Sequence, residues 1–196
     1  KNQTGWNELC RLLTIANTEG FYYRPMIDYK RFLESDLSGF VVLSGCTGSF
    51  LNRKFGEGFL WSASEIIKED LYLEVMPHNT PEQILHNKKC KEFNIKYGIK
   101  IVATNDCHYV NEEEDVAQEV LLAIQTHALW KDKERWKFKI KGLHLRSRNE
   151  MIVAFAKQKS LDKMEYLKAL TATIEIAKKC RKFRIEKQRV SLPRIK

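Results

Sequence analysis

The chain has no apolar run approaching the length a membrane-spanning helix needs. No internal repeat or low-complexity tract is seen, and no signal peptide is expected. Its five cysteines are an odd number without a short paired framework. A disulfide-stapled fold is therefore not expected, and a reducing compartment, the cytoplasm, is. The sequence begins at Lys1 rather than Met, so a fragment or processed chain is expected.

What is present is ample for a core. The 196 residues are 43% apolar and 11% aromatic, outside the disordered range. Thirty-four Lys and Arg outnumber 25 Asp and Glu, giving a formal net charge of +9. That excess points to an acidic partner, with nucleic acid the foremost.

Three short β-branched runs carry the pattern: residues 40–44, 71–75 and 100–104. Each is continuous rather than alternating, as in strands buried on both faces of a parallel sheet. Helical segments separate them. Thr80-Pro81 should open one of these, with Gln83 reaching back to the cap, and Gly98 should end it. The first helix is expected within residues 1–20, with Trp6, Leu9, Leu12, Leu13 and Ala16 inward. Val116, Val120 and Ile124 should form the buried stripe of a helix opened by Asn111, and Met164, Leu167, Thr171 and Ile174 that of a helix over 161–180. Ser147-Arg148-Asn149-Glu150 reads as a capping box. Strand and helix alternating in this way give an α/β fold with parallel strands. Lys131 to Lys141 reads as a surface loop followed by an edge strand.

The stretch Lys100-Ile101-Val102-Ala103-Thr104-Asn105-Asp106-Cys107-His108-Tyr109 organises the functional reading. In an extended backbone Asp106 and His108 face one spot, with Cys107 turned away into packing. Carboxylate beside imidazole suits zinc or manganese. An isolated Asp-x-His reads more readily as a loop acid and a surface histidine than as a site. Reactive groups in α/β folds gather at the C-terminal ends of strands, however. Cys46 follows the first run, Glu74 and then His78 the second, and Asp106 with His108 the third. Three strands thus deliver metal-competent side chains to one edge: Cys46 from the first, Glu74 and His78 from the second, Asp106 and His108 from the third. Lys131, Lys133, Arg135 and Lys137 are the candidate nucleic-acid contacts.

Several strings together resemble the PHP (polymerase and histidinol phosphatase) domain of bacterial DNA polymerase III alpha subunits. They are Lys1-Asn2-Gln3-Thr4-Gly5-Trp6, Thr18-Glu19-Gly20-Phe21-Tyr22-Tyr23-Arg24-Pro25, Leu43-Ser44-Gly45-Cys46, Leu71-Tyr72-Leu73-Glu74, Val102 to Tyr109 and Leu121 to Thr126. The resemblance implies part of a distorted (β/α)7 barrel with parallel strands, plus a C-terminal helical segment. It implies zinc or manganese at a cluster of up to three metals, for which Asp106, His108 and Cys46 match family ligands. The family's His-x-His motif has no match here, so the resemblance covers the C-terminal part of such a domain. The implied layout is barrel over 1–128, the end of the domain with its helical segment over 129–181, and a junction toward the polymerase palm over 182–196. The implied partners are DNA, the remaining polymerase domains, a proofreading subunit and other replisome proteins. The implied roles are DNA replication with 3′–5′ exonuclease or phosphoesterase chemistry, or a scaffold without chemistry. A freestanding PHP phosphoesterase is a further alternative.

Overall fold

A computed structural model describes residues 1–185. Two compact units divide the chain: one is Lys1–Phe40 with the chain from Ile176 onward, the other is Val41–Glu175. Most of the expected palm junction, 186–196, lies outside the described residues.

In the first unit, helix α1 spans Gln3–Thr18, and the Asn2 side chain caps it by accepting from the Gly5 N–H at 2.9 Å. Its buried face is Gly5, Leu12, Ile15 and Ala16, while Leu9 and Leu13 are exposed. Of the residues expected inward, Leu12 and Ala16 are buried and Trp6 is half-buried, so only Leu9 and Leu13 depart from the expectation. A Cβ on Gly5 would stand 2.5 Å from the Gly39 carbonyl oxygen, so only glycine allows that approach. A two-residue hairpin follows, β1 (Phe21–Tyr22) paired antiparallel with β2 (Arg24–Pro25) around Tyr23 at φ +59°. Short helix α2, Tyr29–Leu33, is capped by Asp28.

The second unit holds a three-stranded parallel sheet, β3 (Val42–Leu43), β4 (Leu71–Val75) and β5 (Lys100–Ala103), with β4 central. All three expected strands form, the first and third shorter than expected. Leu71, Tyr72, Leu73 and Val75 are fully buried, which explains why β4 reads as a continuous apolar run. Each such apolar side chain contributes about 1.5–3 kcal/mol. Helix α3, Gly56–Ile67, joins β3 to β4, and α4, Pro81–Tyr97, joins β4 to β5. Thr80 caps α4, Pro81 occupies its first turn, and Gly98 ends it in the left-handed conformation at φ +68°. Gln83 does not reach back; its amide instead donates to Asn87 Oδ1 at 2.8 Å.

Helix α5 spans Asp115–Gln125, α6 Arg148–Gln158 and α7 Lys163–Cys180. The capping boxes at Asn111/Glu114 and Ser147/Glu150 both form. The stripe of α5 does not bury as expected: Val116, Val120 and Ile124 are exposed, and Leu122 and Ala123 are buried. Periodicity located an apolar stripe, but these described residues cover the adjacent one. On α7 the buried residues are Tyr166, Ala169, Leu170 and Ala172; of those expected inward, Met164, Thr171 and Ile174 are exposed and Leu167 is half-buried. Small alanines bring α7 close to the sheet, where Thr173 Oγ1 donates to the Ala103 carbonyl at 2.8 Å. No edge strand forms over 131–141, which is irregular chain. Among the described residues no helix is long and apolar enough to cross a membrane.

Candidate metal centre

Strand β5 ends at Ala103, and the chain turns at Asp106. Asp106 sits at φ +48°, a left-handed conformation that Asp tolerates better than most residues. The pairing anticipated from strand alternation is achieved by this turn instead: His108 Nε2 stands 3.4 Å from Asp106 Oδ1. Cys107 is exposed rather than packed, with its thiol 3.4 Å from the His144 carbonyl, to which it donates. The turn is held from beneath. Buried Asn105 donates through Nδ2 to the carbonyls of Gly142 and His144 at 2.9 and 2.7 Å, and the His108 N–H donates to Leu143 O at 2.8 Å.

Register carries Glu74 to the same sheet edge. It pairs with Val102, and its carboxylate Oε1 accepts from Thr104 Oγ1 at 2.6 Å. That bond leaves Glu74 tied to the neighbouring strand. Cys46 lies in the turn after β3, exposed, behind Gly45 at φ +81°. Buried Ser44 locks this turn to β4 by accepting the Glu74 N–H at 2.9 Å.

His78 is 5% exposed. Burial pushes its pKa down, helped by the Arg146 guanidinium and opposed by hydrogen bonding to Asn105 and the Asp106 charge. A low pKa keeps the ring neutral, the form a metal ligand requires. The turn that carries it is fastened by a buried amide network. Asn87, fully buried at 0%, donates to Met76 O at 2.8 Å, Gln158 Oε1 at 2.9 Å and Ser160 Oγ at 3.0 Å. It accepts from Gln83 Nε2 at 2.8 Å and the Met76 N–H at 3.3 Å. Gln158 Nε2 in turn donates to the carbonyls of Met76 and His78. A cavity of about 500 Å³ opens beside His78, rimmed by Glu112, Lys141, His144, Arg146 and Lys157.

The donor chemistry of Asp106, His108 and Cys46 suits zinc or manganese. The geometry joins only the first two: among the described residues no group of three or more His, Cys, Asp and Glu side chains stands close enough to hold a metal ion. A complete centre needs donors beyond this pair.

Of the candidate nucleic-acid contacts, Lys131, Lys133 and Lys137 are exposed. Arg135 is not presented to solvent. Its guanidinium lies 2.9 Å from Glu119 and 4.3 Å over the Trp130 ring, with the side chain 8% exposed. Sequence reasoning missed that this loop reaches the site: the Phe138 ring packs 4.5 Å from the His108 ring, and Trp136 lies 5.0 Å from Phe138. The alternation Trp136-Lys137-Phe138 was the available signal, but nothing local named its target.

No family model matches the chain. It is 36% identical over 187 residues to the DNA polymerase III subunit alpha of Thermus aquaticus, covering 92% of this chain and 15% of that protein. The subunit alpha of Borreliella burgdorferi is 33% identical over 193 residues, covering 94% and 16% respectively. That of Deinococcus radiodurans is 36% identical over 155 residues, 75% of this chain. The chain thus spans roughly one-sixth of the length of the curated relatives it matches. Along nearly its whole length, it is a homologue of one segment of the DNA polymerase III alpha subunit.

Proposed function

We propose that the chain is the C-terminal part of the PHP domain of a DNA polymerase III alpha subunit, and so part of a replicative DNA-directed DNA polymerase. The observation that carries this reading is the Asp106–His108 pair at the C-terminal edge of a parallel sheet, in a chain homologous to that subunit over 92% of its length. Asp106, His108 and Cys46 would hold zinc or manganese in company with donors outside the pair, and Glu74 and His78 stand in second line. Such a metal, when bound, polarises a phosphoryl oxygen and makes a bound water acidic. This chain's own contribution is to orient the donors. Asn105 fixes the turn, and Phe138 limits rotation of the His108 ring. Lys131, Lys133 and Lys137 would meet the phosphates of DNA. The remaining polymerase domains and a proofreading subunit are the further partners on this reading.

The test uses the full-length alpha subunit that carries this segment. With a labelled oligonucleotide and added manganese or zinc, it should release nucleotides from the 3′ end. Asp106→Asn should abolish that release while primer extension continues, whereas chelation should abolish both. Release that survives Asp106→Asn contradicts the assignment of the pair. Extension without any release supports the second reading, a scaffold without chemistry.

A further inference from the structure

The basic loop and the Asp106–His108 pair are joined by a ladder of rings. His108 and Phe138 lie 4.5 Å apart at 50°, and Phe138 and Trp136 lie 5.0 Å apart, edge-on at 66°. The ladder stops at Trp136, whose indole is 55% exposed. Its flanks are cationic: Lys133, Lys137 and Lys139 are exposed around it. Immediately before it, Arg135 is fastened to Glu119 and Trp130, so the indole stands on an anchored stretch of loop.

A half-exposed indole among exposed lysines is the pairing that single-stranded nucleic acid recognises. Ammonium groups attract the backbone, and the ring face accepts any base. One ring, that of Phe138, joins the indole to the His108 imidazole, so a base on the indole would lie near the pair. We infer that Trp136 is a stacking platform for the terminal base of a single strand, placing its last phosphodiester at the Asp106–His108 pair. Trp136 is on this account a positioning residue. The inference rests on the reading of that pair as a phosphodiester site, and names how the substrate end is held there.

The experiment measures binding of the 196-residue chain to a short, 5′-labelled oligothymidylate by fluorescence anisotropy, in chelator, across a salt series. Trp136→Ala should weaken binding about tenfold, within the range that base–aromatic stacking supports, and leave the salt slope unchanged. Trp136→Phe should restore most of the affinity, which a merely folded or unfolded distinction would not predict. An oligonucleotide with an abasic 3′ terminus should bind the parent chain as weakly as the intact one binds Trp136→Ala. Lys133→Ala with Lys137→Ala should flatten the salt slope. If only the lysine substitutions weaken binding, the platform is overturned while the loop's contact with nucleic acid stands. Should neither set change binding, the loop is not a nucleic-acid surface, and the indole is left to a protein partner.

Discussion

Asn87→Ala tests the amide network that fixes the turn carrying His78. Truncation removes the acceptor of two buried donors, Gln83 Nε2 and the Met76 N–H. Other groups keep partners: Met76 O still accepts from Gln158 Nε2 at 3.0 Å, and Gln158 Oε1 from Ser160 Oγ at 2.6 Å. Leaving a buried donor unpaired costs about 1–3 kcal/mol, so the two together cost about 2–6 kcal/mol. Against a usual total of about 5–15 kcal/mol that is a large fraction. Urea unfolding followed by circular dichroism would read it. With a slope of about 2 kcal/mol per molar, a loss of about 3 kcal/mol moves the midpoint by about 1.5 M. Lys88→Ala, exposed on the same helix, should change stability by less than about 0.5 kcal/mol. If Asn87→Ala behaved like Lys88→Ala, the network would not be holding the turn.

Buried His86 sets a pH dependence. Burial depresses its pKa below 6.5, and Asn52 Nδ2, whose orientation is fixed by donating to Thr47 O, donates to His86 Nδ1, so the ring is neutral. A depressed histidine stabilises the fold fully above its unfolded value and loses that contribution as pH falls toward the folded one. The melting temperature should therefore drop on acidification below about pH 6.5, and His86→Gln should flatten that drop. A profile unchanged by the substitution would contradict the assignment. Cys90 is buried, and burial pushes its thiol up to about 12, whereas Cys10, Cys46, Cys107 and Cys180 are exposed. A thiol-reactive dye at neutral pH should label four sites in the native chain and the fifth only after unfolding; five fast sites would refute the burial. Ser147→Ala, which breaks a capping box on α6, should cost about 1 kcal/mol by the same urea assay, and no loss would deny the cap its role.

Much of the frame could be read from residues alone. Continuous apolar runs located β3, β4 and β5, and local stereochemistry located the ends of α4 through Thr80, Pro81 and Gly98. Those signals act within a few residues. The inward face of α4 was hidden because its first half is polar, with Cys90 and Phe93 the apolar part. Gln83, His86 and Asn87 look like solvent residues until their partners are known, and Gln158 and Ser160 lie 71 and 73 positions from Asn87. The Asp106–His108 pairing was legible from its two residue types. Its backbone was not, since a left-handed Asp and an extended one share the same sequence spacing. On α5, periodicity showed an apolar stripe but could not say which stripe the rest of the chain would cover. The ring ladder from Trp136 to His108 joins segments some thirty residues apart, and nothing in either segment names the other.

Metal content of the full-length alpha subunit carrying this segment is the most direct measurement of the central claim. Protein purified without chelator and analysed by inductively coupled plasma mass spectrometry should hold zinc or manganese at a defined stoichiometry. Asp106→Ala with His108→Ala should lower that stoichiometry, and Cys107→Ser, beside the pair but turned to the His144 carbonyl, should not. No metal above background in the parent, or an equal content in the double variant, would contradict the claim that this pair serves a metal centre.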